Sequence, residues 1–210
     1  MHMITEDLRP LHAAAVRATV GLVARATPAD LAKPTPCAGW DLAALLSHMT
    51  VQHHGFAAAA RGRGADETCW VPAPLGTDFP SRYADAVTDV LAAFAEPGVL
   101  DRPFVLPEFG TDRPFPGRLA LAFHLVDYVV HGWDVARSLG LPYQPAPEIL
   151  AATLPIARAV PDDANRLAPG AAFAPAHPVP PGTDPLTEIL LLLGRRPGPG
   201  RVPEPGRAAA

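Results

Sequence analysis

The stretch that most constrains this chain is Phe123-His-Leu-Val-Asp-Tyr-Val-Val-His-Gly-Trp-Asp-Val-Ala-Arg137. It is free of proline, is apolar through most of its length, and carries His124, Asp127 and His131 at steps of three and four. Residues so spaced lie one above another on the same side of a helix. Asp127 and His131, one turn apart, can both reach a single metal ion, and His124 sits a further turn back. Two ligands leave a site open, so a second element must bring another. His48, in Leu45-Leu-Ser-His-Met49, lies beside the apolar face of an earlier helical pattern built on Leu42, Leu45, Met49 and Gln52. The spacing therefore predicts a helix bundle with His48, Asp127 and His131 turned toward one point.

The competing reading makes His48 and His131 ordinary histidines at the edge of a core and Asp127 a solvent-facing acid. Against it stands the company of Asp127, between Val126 and Tyr128-Val-Val130. A carboxylate buried there needs a partner, because an unpaired buried charge is costly. Imidazole and carboxylate both bind first-row metals, and bundles present such groups inward from facing helices. Three protein ligands with one open position is the arrangement of a catalytic rather than a closed structural site. His124 offers a rival pair with Asp127, although its expected place is the bundle lining one turn above. His53 and His54 are turned about 140° and 120° away from His48 around the helix. His2, His12 and His177 show no partner pattern. Gln52 reads as cavity lining or plain surface.

The remaining helices follow from periodicity and caps. A first helix is expected over Thr5–Ala26 with Thr5 as N-cap, its apolar face using Leu8, Leu11, Ala15 and Leu22. The second starts at Asp41, its N-cap, and runs to about Arg61. A third fits Pro80–Ala95, burying Tyr83, Val87, Val90, Leu91 and Phe94. A fourth covers Gly117–Leu139 and stops at Gly140. Further helices fit Ala146–Ala159 and Asp184–Leu193. Between them, 62–79 is Gly/Pro-rich with Trp70 and Phe79 as anchors, 99–116 reads as an extended loop across one end of the bundle, and 161–183 is Pro-rich. From Arg195 the Pro/Gly/Arg/Ala composition reads as a tail. The domain is accordingly drawn at 1–195, with 196–210 disordered.

With 210 residues, 49% of them hydrophobic and 18% charged, the chain can bury one core. Its 27 prolines concentrate in the connections and the last third. A formal charge of −4 leaves no footprint for nucleic acid or an anionic membrane surface. No apolar run approaches the roughly 20 residues of a membrane span, and the N-terminus lacks the pattern of a signal peptide. Cys37 and Cys69 form neither a disulfide framework nor a cysteine zinc site. A cytoplasmic protein is expected, and a homodimer by base rate. Gly-x-Ser-x-Gly, Gly-x-Gly-x-x-Gly and Gly-Lys-Ser/Thr are all absent, which excludes an α/β-hydrolase triad and the common nucleotide loops. Asp134 is expected to pair with Arg137 at i+3, and Trp40 and Trp133 to pack near the site. A single lysine beside sixteen arginines, with abundant Ala, Pro and Gly, fits a GC-rich bacterial genome.

Two segments carry a resemblance. Pro34-Thr-Pro-Cys-Ala-Gly-Trp-Asp41 leading into Leu45-Leu-Ser-His48 resembles the opening of the mycothiol-dependent maleylpyruvate isomerase N-terminal domain, of the DinB/YfiT-like superfamily of metal-binding bundles. Asp127-Tyr-Val-Val-His-Gly-Trp-Asp-Val-Ala-Arg-Ser-Leu-Gly140 is similar to the acid-x-x-x-His-x-Trp-Asp-Leu-Ala-Arg segment of that group. Phe173-Ala-Pro through Leu190-Leu-Leu-Leu-Gly-Arg-Arg-Pro197 looks like the ending of single-domain actinobacterial members. The resemblance implies an all-α, antiparallel four-helix bundle with extra C-terminal helices and Pro-rich loops. It implies His48, Asp127 and His131 as ligands of a divalent metal, zinc by default with nickel and iron open. It further implies chemistry on a small-molecule substrate, with mycothiol as thiol cosubstrate, in S-transfer to an electrophile or a thiol-assisted isomerisation. Family members commonly place Glu where this chain has Asp127, and the larger C-terminal domain of the isomerase is not recognisable here. Two alternatives share the fold: a natural-product enzyme catalysing a thiol-independent isomerisation or cyclisation, and a non-catalytic metal- or ligand-binding protein.

Overall fold

The computed structural model describes residues 7–37, 39–168 and 171–198. Among the described residues six α-helices carry the fold: α1 (Arg9–Val23), α2 (Leu42–Ala60), α3 (Phe79–Ala95), α4 (Gly117–Leu139), α5 (Pro147–Ala159) and α6 (Pro185–Leu192). The first four form a square in which α1 packs on α3 and α4, and α2 packs on the same two. The pairs α1/α2 and α3/α4 stand on the diagonals. The all-α architecture expected from the sequence is the one the chain adopts.

Cap chemistry sets several boundaries. Asp41 Oδ1 accepts the Ala44 N–H at 2.8 Å and starts α2, and Asp184 Oδ1 accepts the Thr187 N–H at 3.0 Å and starts α6. Gly140, at φ +67°, ends α4: the Leu141 N–H reaches back to the Ala136 carbonyl at 2.8 Å. Thr5 and all but three residues of the expected tail, 199–210, lie outside the described residues. The first described helical residue is Arg9, with Pro10 in the first turn, where its missing N–H costs nothing. The buried stripe of α1 runs through His12, Ala15, Val16, Thr19 and Val23, leaving Leu11 and Leu22 half-buried.

α4 is the centre of the molecule. One flank of it, Leu121, Leu125 and Val129, packs with Phe56, Phe94 and Phe104. A second, Tyr128 and Val135, packs with Leu45, Met49 and Tyr83. The third, Val126 and Val130, meets Ile189, Leu190 and Leu193 around α6. A helix with three apolar flanks must be covered along each of them, and α5 and α6 supply the closure that four helices alone leave open. The 99–116 connection is not wholly extended loop. It contains a two-residue antiparallel ladder, β1 (Pro103–Phe104) with β2 (Phe115–Pro116), too short for an alternation pattern to announce it. Among the described residues no helix is long and apolar enough to cross a membrane.

Candidate metal centre

α4 presents Asp127 and His131 one turn apart, and α2, packed against it, presents His48. Each offers one ligand atom, and these atoms all lie within 4.8 Å of one another. Asp127 Oδ1 is 3.2 Å from His131 Nε2. The rings of His48 and His131 meet edge to face at 5.2 Å between centroids. Trp40, on the loop entering α2, lies over both, 4.7 Å from His48 and 6.4 Å from His131. His131 is buried while His48 and Asp127 are half-buried, so the cluster is deep on the His131 side and reachable from the other.

The electrostatics divide the three residues. Burial pushes His48 down to about 4, helped by the neighbouring His131, so its imidazole is neutral at pH 7. Burial opposes the charge on Asp127, but His131 and then His48 outweigh it and hold the carboxyl below its ordinary value. Burial likewise opposes the charge on His131. Asp127 on one nitrogen and Asp134 on the other overcome it, and His131 rises to about 9. A neutral imidazole, a carboxylate and an imidazole whose Nε2 proton can be exchanged for a cation make an N/O/N donor set suited to a divalent first-row metal.

Asp134 does not pair with Arg137, which is exposed. It is fully buried and accepts the His131 Nδ1–H at 3.0 Å on Oδ2. Its counter-charge is Arg195, whose Nη2 lies 2.9 Å from Oδ2 and whose Nε is 3.2 Å from both oxygens. Arg195 is 4% exposed, so the chain at this point belongs to the core and not to a tail. Its Nη2 also reaches Cys37 Sγ at 3.5 Å. Burial pushes that thiol up to about 11 against the pull of the guanidinium. Both cysteines are free, and Cys69 lies apart, beside Asp66.

Two features escaped the sequence reading. Glu108 sits on the turn Pro107–Phe109, which Phe109 anchors against Phe123, one turn before Asp127 on α4; the ring centroids are 5.4 Å apart. Glu108 is itself exposed, and local crowding, followed by the charge of Asp127, raises its carboxyl above its ordinary value. The other is a chain of three buried imidazoles from three helices. His12 Nε2 lies 2.8 Å from His124 Nδ1, and His124 Nε2 lies 3.2 Å from His53 Nδ1. Tyr128 stacks against both His53 and His124, at 4.1 and 4.2 Å. Burial holds His12 down to about 3 and the other two well below their ordinary range. His124 thus lines the bundle and stands apart from the candidate ligands. The signal lay in the core stripes: His53 follows Met49 by one turn and His124 precedes Tyr128 by one.

The sequence model of the mycothiol maleylpyruvate isomerase N-terminal domain matches residues 12–136, which include His48, Asp127 and His131. The chain is 30% identical over 185 residues to two Mycobacterium tuberculosis proteins, "Uncharacterized protein MT0763" of strain CDC 1551 / Oshkosh and "Uncharacterized protein Rv0738" of strain H37Rv. Each alignment covers 88% of this chain and 95% of the relative. No solved structure matches the chain. With the match spanning more than half of its length and both ends of the His48/Asp127/His131 cluster, the chain belongs to the mycothiol maleylpyruvate isomerase N-terminal domain family.

Proposed function

We propose that this protein is a metal-dependent enzyme that works with a low-molecular-weight thiol of the mycothiol type. The reaction is S-transfer to an electrophilic small molecule or a thiol-assisted isomerisation. One observation carries the reading: His48, Asp127 and His131 bring their ligand atoms within 4.8 Å of one another on the half-open side of a buried bundle. These residues would hold the ion, with zinc the default. A bound divalent ion supplies a positive charge that lowers the pKa of a thiol beside it and so favours thiolate at neutral pH.

The chain's own residues divide the remaining work. Trp40 covers His48 and His131 and keeps bulk water from that side. Asp134 holds the His131 Nδ1 proton, leaving Nε2 for the ion. The free Cys37 and Cys69 suit a reducing cytoplasm, where such thiols are kept reduced.

The deciding experiment measures metal content of the purified parent, His48→Ala and His131→Ala proteins, then assays thiol consumption with a panel of electrophiles. Near-stoichiometric metal in the parent alone, with thiol- and metal-dependent turnover, is expected. A parent that stays metal-free after incubation with zinc overturns the reading. Metal-dependent turnover without any thiol would replace it by Lewis-acid chemistry at the same site.

A further inference from the structure

Arg195 lies well beyond the segment that the family model matches, yet its side chain ends beside the candidate metal centre. The route is set by the end of α6. Gly194, at φ +76°, donates its N–H to the Leu191 carbonyl at 3.2 Å, and the Arg195 N–H returns to the Leu190 carbonyl at 2.8 Å. This left-handed closure turns the chain back toward the bundle. A Cβ at position 194 would also overlap Ala174, so both the conformation and the space require glycine.

Once turned inward, every nitrogen of the guanidinium is engaged. Nε and Nη2 bind Asp134, Nη1 donates to the Leu193 carbonyl at 3.2 Å, and Nη2 also meets Cys37 Sγ. Asp134 Oδ2 therefore accepts from two donors at once, Arg195 and His131 Nδ1. Without the guanidinium, the fully buried Asp134 carboxylate would keep, among the described side chains, the His131 Nδ1–H alone, with nothing to fix its orientation toward that ring. Cys37 belongs to the loop that ends in Trp40, the residue lying over His48 and His131. One side chain thus touches both the acceptor behind a candidate ligand and the loop above it.

We propose that Arg195 is a positioning residue of the metal centre: by clamping Asp134 it fixes the His131 ring, with Nδ1–H turned away and Nε2 turned toward His48 and Asp127. This inference rests on the reading of those three residues as metal ligands. It assigns the final segment of the chain a part in a site whose ligands all lie within the matched segment. The direct hydrogen-bond partner of a ligating histidine, here Asp134, is worth about 10- to 100-fold in metal affinity, and Arg195 acts through it.

The test uses the full chain labelled with 15N-histidine, with zinc affinity measured by chelator competition. Variants are Arg195→Met, Arg195→Lys and Asp134→Asn, each checked for fold by circular dichroism. In the zinc-loaded parent, His131 is expected to bind the ion through Nε2 and to show a slowly exchanging Nδ1 proton. Arg195→Met should expose that proton to fast exchange and weaken zinc binding about 10- to 100-fold, and Arg195→Lys should restore part of both. A folded Arg195→Met protein with zinc affinity and His131 proton unchanged overturns the inference. So does a parent whose His131 binds zinc through Nδ1, which decides the matter even if Arg195→Met fails to fold. A parent that binds no zinc overturns the metal reading itself, an outcome distinct from parent and variant binding zinc equally.

Discussion

Asp127 Oδ1 lies 3.2 Å from His131 Nε2, so the nitrogen that faces the other two candidate ligands holds a proton for its neighbour's carboxylate. His131 keeps that proton up to about pH 9, whereas His48 is neutral above about pH 4 and Asp127 is ionised. Metal loading at neutral pH must therefore displace one proton, and it comes from His131. The affinity for zinc is expected to rise about tenfold per pH unit from pH 6 to 8.5 and to level off near 9. Competition titrations at several pH values, with proton release read from buffers of different ionisation enthalpy, measure this. An affinity that does not move with pH would refute it.

The imidazole chain makes stability sensitive to acid. His12, His53 and His124 stay neutral in the folded core, as does His48 above about pH 4, while in the unfolded chain each takes up a proton near pH 6.5. Stability from these groups is present above pH 6.5 and is lost as the pH falls below it, by about 2 kcal/mol per histidine at pH 5. His131 has the opposite sign: its contribution is complete below pH 6.5 and is lost as the pH rises through about 9. Urea unfolding should thus give a maximum near neutrality, with a steep acid limb that becomes shallower by about one proton in His12→Leu. A midpoint constant from pH 7 to 5 would contradict this account.

Gly55→Ala tests a close approach. A Cβ at position 55 would overlap the Trp70 ring, which lies flat on α2 and donates its indole N–H to the Gly64 carbonyl at 2.9 Å. The rigid indole must move, carrying with it the anchor of the connection between α2 and α3. A loss of about 1–3 kcal/mol is expected, read as a lower urea midpoint with unchanged helical circular dichroism. An unchanged or higher midpoint would show that the Trp70 contact is slack.

What could be read in the chain before its structure was what repeats along a single helix. Asp41 announces α2 because a cap acts within three residues. Gly117–Leu139 announces itself because proline is absent and Gly140 follows. Asp127 and His131 share a face by spacing alone. Relationships between helices were far less legible. His12 showed no partner because its partner stands on α4, 112 residues away. Asp134 was assigned to Arg137 because i,i+3 is the nearest charge, while its real counter-ion returns from 61 residues further on. Arg195 looked like tail because Pro and Gly surround it, although the glycine there serves to turn it inward. Glu108 gave no signal, since the crowding and the Asp127 charge that raise its carboxyl come from the fold and not from its neighbours in sequence.

The His12–His124–His53 chain has a further consequence. Neutral imidazoles carry one proton each, and two hydrogen bonds in line can be ordered in two ways. Either His53 donates to His124 and His124 to His12, or both bonds run in reverse. No heavy atom moves between the two orders, but the spare valence at the α2 end changes character. His53 Nε2, buried with no partner among the described residues, is a bare acceptor in one and a donor in the other. The bundle therefore encloses a reversible dipole spanning α1, α4 and α2, and the charge of Asp127 is felt at its His53 end. Whatever neutralises Asp127 acts on the polarity of that buried line as well as on the candidate metal centre.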